Sequence, residues 1–186
     1  RTVADVNQLL ITTKSANEML DKITIALCAN ESVKSAAIAT EREGGLRFES
    51  YCGTLKRELT EIELEAFNNC KSILMTNFNN MPSQMFDYIK QEGITAVYTL
   101  PLKSNNFATR AFGIITLCTA QQNGFSDDDR KMIEELAGDI GFAINSFMQD
   151  EKLKSLQNEK IKSYRDFIGM MVDMIEQRDT YTAGHT

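Results

Sequence analysis

The chain has 186 residues, 42% of them hydrophobic, with only 2 prolines and 10 glycines, which excludes a disordered or low-complexity chain and suits one ordinary domain plus an extension. A net charge of −6 and a pI near 4.9, with no basic stripe, exclude a dedicated nucleic-acid binder, because phosphate contact needs concentrated Lys and Arg. No run of about eighteen apolar residues is present to span a bilayer and no charged-then-apolar signal opens the chain, so a cytoplasmic protein without membrane insertion is expected.

Residues 3 to 29 read as a helix, with Val6, Leu9, Thr13, Ala16, Leu20, Ile23 and Leu27 on one seam and Lys14, Glu18, Asp21 and Lys22 on the polar face. That seam has three possible partners: the domain's own sheet, the C-terminal helix, or a second copy. Two strands follow, Ser35 to Thr40 and Leu46 to Cys52, joined through Glu43-Gly44-Gly45, where paired glycines accept the positive φ of a tight turn. The all-small run Ala36-Ala37-Ile38-Ala39 predicts an inner strand covered on both faces.

Thr60 to Cys70 predicts a helix with a Thr60/Glu63 capping box, its buried positions drawn from Ile62, Leu64, Ala66, Phe67 and Cys70. Ser72 to Thr76 suits a short strand, and Met85, Phe86, Tyr88 and Ile89 suit a short helix that Gly93 ends. A second hairpin joins Ile94 to Leu102 with Arg110 to Ala120; Ile94, Ala96, Tyr98, Leu100 and Leu102 share one face of the first strand, while Phe112, Ile114, Thr116 and Cys118 share one face of the next. Ser126 is placed to cap a last helix whose first turn, Asp127-Asp128-Asp129, complements the helix dipole. The order helix, hairpin, helix, strand, helix, hairpin, helix predicts an α+β domain around an antiparallel sheet.

The last helix carries apolar residues at spacings of three and four: Ile133, Leu136, Ile140, Ala143 and Phe147, then Ile161, Tyr164, Ile168, Met171 and Ile175. This is a coiled-coil pattern, and it predicts a parallel homodimer. In the same frame Asp150, Lys154 and Gln157 face inward, which predicts a weak middle where a register or packing change costs least.

Gly124-Phe125-Ser126-Asp127-Asp128-Asp129 followed by Met132-Ile133-Glu134-Glu135-Leu136-Ala137, together with Thr99-Leu100-Pro101-Leu102 and Phe112-Gly113-Ile114-Ile115, resembles the GAF domain family of small-molecule sensing and dimerisation modules. The resemblance covers residues 5 to 150 and implies a GAF-like antiparallel sheet flanked by helices. Further on, Arg178-Asp179-Thr180-Tyr181-Thr182-Ala183-Gly184-His185 resembles the entrance to HD-GYP domains. That family hydrolyses cyclic di-GMP with two or three metal ions, commonly iron or manganese, and His185 matches its first metal ligand. The expected layout is a sensory domain over residues 1–150, a coiled-coil linker over 151–178 and the start of an HD-GYP domain at 179–186, with both ends of the chain reading as cut from a longer protein. No enzyme activity and no cofactor are expected of the fragment itself, since one histidine cannot hold a metal pair.

A pocket in such a sheet is expected beneath the central helices, lined by Phe48, Phe67, Phe78, Phe86, Tyr98 and Thr116; the competing reading makes these residues ordinary core. The ligand, an unknown small-molecule effector, is left unassigned. Cys28, Cys52, Cys70 and Cys118 are scattered without a CxxC pair, which fits reduced thiols better than a disulfide framework or zinc site. Two alternatives to the regulatory reading remain: a dimerisation module without ligand, and a free methionine sulfoxide reductase, for which Cys52 and Cys70 would be the thiol pair.

Overall fold

The computed structural model describes residues 15–53, 58–78, 83–105 and 108–183, with backbone alone at 16, 83–85 and 175–183. The expectations resting on Val6, Leu9, Thr13, His185 and the side chains of Ala16 and Ile175 therefore lie outside what is described. Contacts divide the chain into two units, residues 1–147 and 148–186, and the last helix contributes to both.

Helix α1 (Ala16–Cys28) begins where the Ser15 hydroxyl accepts the Glu18 amide at 3.3 Å. Its buried stripe, Met19, Leu20, Ile23 and Leu27, is 0–3% exposed. Thr24 completes that stripe, and its hydroxyl lies 2.8 Å from that of Ser50. Of the three partners open to the first seam, the described part of the helix has taken the domain's own sheet.

Strand β1 (Ser35–Arg42) pairs antiparallel with β2 (Gly45–Cys52) across the expected glycine turn, where Gly44 and Gly45 take φ of 98° and 119°. Helix α2 (Glu61–Asn69) carries the capping box, and Cys70 closes it in the left-handed region at φ 53°. Strand β3 (Ile73–Met75), helix α3 (Ser83–Gln91), strands β4 (Ala96–Lys103) and β5 (Ala111–Thr119) and helix α4 (Asp127–Ala183) complete the order. All strand pairs are antiparallel, in the order β2-β1-β5-β4-β3. The small-residue strand β1 is thus an inner strand, buried at Ser35, Ala36, Ile38, Ala39 and Thr40.

Register sorts the side chains into two layers. Ser50, Ile38, Ile115 and Leu100 stand opposite one another across four strands, so they share a face with Leu117, Tyr98 and Leu102. Helices α1 and α4 cover this face. Gly141 of α4 comes so close to strand β4 that an added Cβ would lie 2.6 Å from the Lys103 carbonyl oxygen. The other face presents Ala37, Ala39, Thr116, Cys118, Thr99 and Val97, and α2 and α3 lie over it. The hairpin alternation expected from sequence is therefore kept, with Thr116 and Tyr98 on opposite sides.

Two expectations change here. Leu64 of α2 is 41% exposed, because the helix buries Glu63 and Ala66 instead. In α4, Ile133, Leu136 and Ile140 are 7, 4 and 0% exposed, and Ile144 joins them at 1%. These residues belong to the domain's own core rather than to a dimer seam, each burial contributing roughly 1.5–3 kcal/mol. Phe147 is half-buried. The helix starts as expected, with Ser126 and Asp129 exchanging hydrogen bonds at 3.0 and 3.1 Å between each one's amide and the other's side chain.

Candidate functional site

Between the sheet and α2, a carboxylate is held in the core. Glu63 is 1% exposed and accepts the Thr60 amide and hydroxyl on Oε2, both at 3.0 Å, and the Thr116 hydroxyl on Oε1 at 2.7 Å. Thr116 in turn lies 3.2 Å from the Thr99 hydroxyl. Burying a carboxyl is costly unless its lone pairs are filled, and here the helix cap and the sheet fill them together. One side chain therefore caps α2 and ties that helix to strand β5. Beside this network, Ile89 of α3 and Ile94 just beyond that helix pack with Val97 and Cys118, with Met75, Phe78 and Tyr88 against the cluster.

The expected pocket residues separate. Thr116 lies in the network, Phe67 is half-buried on α2, and Phe78 packs on the α3 cluster. Phe86 is 37% exposed and does not belong to the core. Phe48 lies where the β1–β2 register slips, on the edge strand, and borders a shallow surface cleft with Arg42, Glu43, Arg47 and Glu49. There Arg42 Nε and Thr40 Oγ1 donate to Glu49 Oε1 at 2.6 and 2.8 Å, and the Arg42 hydrogen bond holds that carboxyl below its usual range against the opposing effect of burial.

Tyr98 is the clear departure. It faces α4, its ring centroid lies 6.0 Å from that of Phe125, and its hydroxyl donates to Glu134. Burial and the Glu134 carboxylate push its ionisation up. This contact borders a second cleft of about 450 Å³, lined by Cys70 and Lys71 at the end of α2, Ser72, Leu100 and Pro101 of β4, and Glu134 of α4 among others. Sequence reasoning found Glu63 as half of a capping box but missed its bond to Thr116, and it missed Glu134 entirely. The capping spacing was the only local sign of either; the partners lie 53 and 36 residues away.

The four cysteines are free thiols. Cys52 lies against Cys28, and Cys70 sits at the end of α2. Among the described residues no group of three or more His, Cys, Asp and Glu converges to hold a metal, so no step is assigned to one. No helix of the described residues is long and apolar enough to cross a membrane.

In the second unit, Leu153, Leu156, Ile161, Tyr164, Phe167, Ile168, Met170, Met171, Val172 and Met174 are all 44–62% exposed. Leu153 and Leu156 fall one position before the inward Lys154 and Gln157, so the middle of the helix is less polar than the single heptad frame suggested. Lys160 Nζ lies 5.9 Å from the Tyr164 ring centroid, a cation–π pair one helical turn apart.

Comparison with solved structures finds the same fold in bacterial and archaeal proteins. The GAF domain of a phosphoenolpyruvate-protein phosphotransferase from Coxiella burnetii superposes with a TM-score of 0.66 at 11% identity, over 81% of this chain and 95% of that one. The GAF domain of a putative sensor histidine kinase from Pseudomonas syringae gives 0.56 at 14% identity, over 84% and 91%. A type II free methionine-R-sulfoxide reductase from Thermoplasma acidophilum gives 0.57 at 14% identity, over 75% and 96%. No curated protein matches the chain. A family model described as GAF domain matches residues 13–145. With the sheet order, the flanking helices and that match in agreement, the chain belongs to the GAF domain family.

Proposed function

We propose that this GAF domain is a sensory and regulatory module that dimerises through parallel copies of α4 and passes its state along that helix to a downstream HD-GYP cyclic di-GMP phosphodiesterase. The observation that carries the reading is the exposed apolar surface of residues 153–174. Ten large apolar side chains on one solvated helix exceed what a monomer leaves open, and the spacings of three and four among Ile161, Tyr164, Ile168 and Met171 suit a second copy of the same helix. The output rests on the likeness of Tyr181-Thr182-Ala183-Gly184-His185 to the HD-GYP entrance, with His185 the first ligand of an iron or manganese site completed by residues beyond Thr186.

The input would be read at the face beneath α2 and α3, where the Glu63–Thr116 tether joins α2 to the central strand of the sheet. A small molecule that displaced Thr116 from Glu63 would loosen α2 and repack the sheet against which α4 lies. In this scheme the chain has no catalytic residue of its own, and the effector is an unassigned small molecule.

Sedimentation equilibrium of the purified chain tests the assembly: a mass of twice 20.9 kDa is expected, falling to the monomer in Ile161→Glu with Ile168→Glu. A wild-type monomer at high concentration refutes the dimer. Extending the chain into the following domain and assaying hydrolysis of cyclic di-GMP tests the output, and a folded extension without that activity refutes it. In that longer protein, Asp150→Leu with Lys154→Leu is expected to tighten the dimer and blunt regulation. An unchanged effector response would refute the switch while leaving the dimer in place.

A further inference from the structure

Helix α1 and edge strand β2 lie side by side where Thr24 meets Ser50, hydroxyl to hydroxyl at 2.8 Å. One helical turn beyond Thr24 is Cys28, the last residue of α1; two residues beyond Ser50, on the same strand face, is Cys52, the last of β2. A helical turn advances about 5.4 Å and two strand residues about 6.8 Å, so the next pair along this contact stays nearly in step. The ladder agrees independently. Cys52 stands directly opposite Ala36 in the β1–β2 pairing, and Cys28 reaches both the Ala36 backbone and the Cys52 thiol.

Both sulfurs belong to partly exposed residues, whereas Cys118 is 2% exposed. We propose that Cys28 and Cys52 form a redox-modification site, a dithiol that a peroxide converts into a reversible disulfide clipping the end of α1 to the edge of the sheet. The pair departs from the reductase expectation, which joined Cys52 to Cys70.

The chemistry follows from the asymmetry of the pair. Burial, with the Cys52 thiol beside it, raises the ionisation of Cys28, which disfavours its thiolate, and the first attack is assigned to Cys52 at the end of the edge strand. The Cys52 sulfur attacks one oxygen of hydrogen peroxide and the O–O bond breaks. Cys52 becomes a sulfenic acid, and the departing hydroxide takes the thiol proton and leaves as water. The Cys28 sulfur then attacks the Cys52 sulfur; the S–S bond forms, the S–O bond breaks, and the leaving hydroxide carries away the Cys28 proton as a second water. Two thiols have lost two electrons and two protons, and one peroxide has become two waters. A dithiol reductant reverses the step by thiol–disulfide exchange.

Mapping the purified chain after one equivalent of hydrogen peroxide tests this. Non-reduced digests should contain the Cys28 and Cys52 peptides joined, two hydrogens lighter than their sum, released again by dithiothreitol, with Cys70 and Cys118 still open to alkylation under denaturant. In Cys28→Ser the link cannot close, and dimedone should label Cys52 at least severalfold more than in wild type. Cys52 joined to Cys70, to Cys118 or to a second chain in the wild type overturns the proposal, as does full alkylation of Cys28 and Cys52 after peroxide. The wild-type map stands without the variant should Cys28→Ser fail to fold.

Discussion

Removing the Glu63 carboxylate tests whether α2 is held by the tether described above. In Glu63→Ala the helix loses its capping box, which costs about 1 kcal/mol. It also loses the 2.7 Å hydrogen bond that the Thr116 hydroxyl donates to it, worth about 1–3 kcal/mol in a buried setting. Thr116 keeps Thr99 at 3.2 Å, so no buried hydroxyl is orphaned. The sum is about 3 kcal/mol, which for a chain of this size corresponds to roughly 6–12 °C in unfolding midpoint. Thermal and urea denaturation of Glu63→Ala, Thr116→Val and the double variant close a cycle whose coupling should be about 1.5 kcal/mol. A coupling below about 0.5 kcal/mol would show that the bond between helix and sheet does not hold α2 in place, and the proposed route of signal entry would fall with it.

Glycine replacements separate close approach from helix propensity. Gly113→Ala sets a Cβ 2.5 Å from the Ala39 carbonyl oxygen, and Gly141→Ala sets one 2.6 Å from that of Lys103; both are backbone atoms, so each variant should lose about 2–4 kcal/mol in urea denaturation. Gly169→Ala meets nothing within 4 Å inside α4 and should instead gain up to about 1 kcal/mol of helix stability, read as higher helicity by circular dichroism. Tyr98 gives a pH dependence of definite sign. Its folded-state ionisation is raised above the ordinary value of 10.0, so its contribution is complete below that pH and is lost as pH rises through the folded value. Tyr98→Phe should cost about 1 kcal/mol at pH 8 and flatten the loss of stability above pH 10 in alkaline denaturation.

Local pattern determined most of the architecture. Alternation placed both hairpins, paired glycines placed the first turn, and Thr60 and Ser126 marked two helix starts, because each of these signals is made by residues within a few positions of one another; the Ser15 cap, inside what reads from sequence as one helix over residues 3 to 29, came only from the structure. The burial of the β1 run was legible for the same reason: an unbroken run of apolar and small side chains leaves neither face suited to water. The candidate site was legible in part. Period two sorted the residues within each strand, but only the β4–β5 register, with Tyr98 opposite Leu117 and Thr99 opposite Thr116, puts Tyr98 and Thr116 on different faces, so the expected pocket joined residues that the sheet keeps apart.

Tertiary structure alone decided the partners. The heptad spacing of α4 cannot distinguish a helix lying on a sheet from one lying on another helix, since both bury residues three and four apart; the sheet has claimed Ile133, Leu136 and Ile140, while Ile161 to Met174 remain exposed. Nor does sequence distance tell that Glu63 meets Thr116 or that Cys28 meets Cys52, because those contacts exist only once α1 and α2 have settled on opposite faces of the same sheet. The chain's own periodicities fix which elements form, and the packing of those elements fixes which side chains become a core, a tether or a pair of facing thiols.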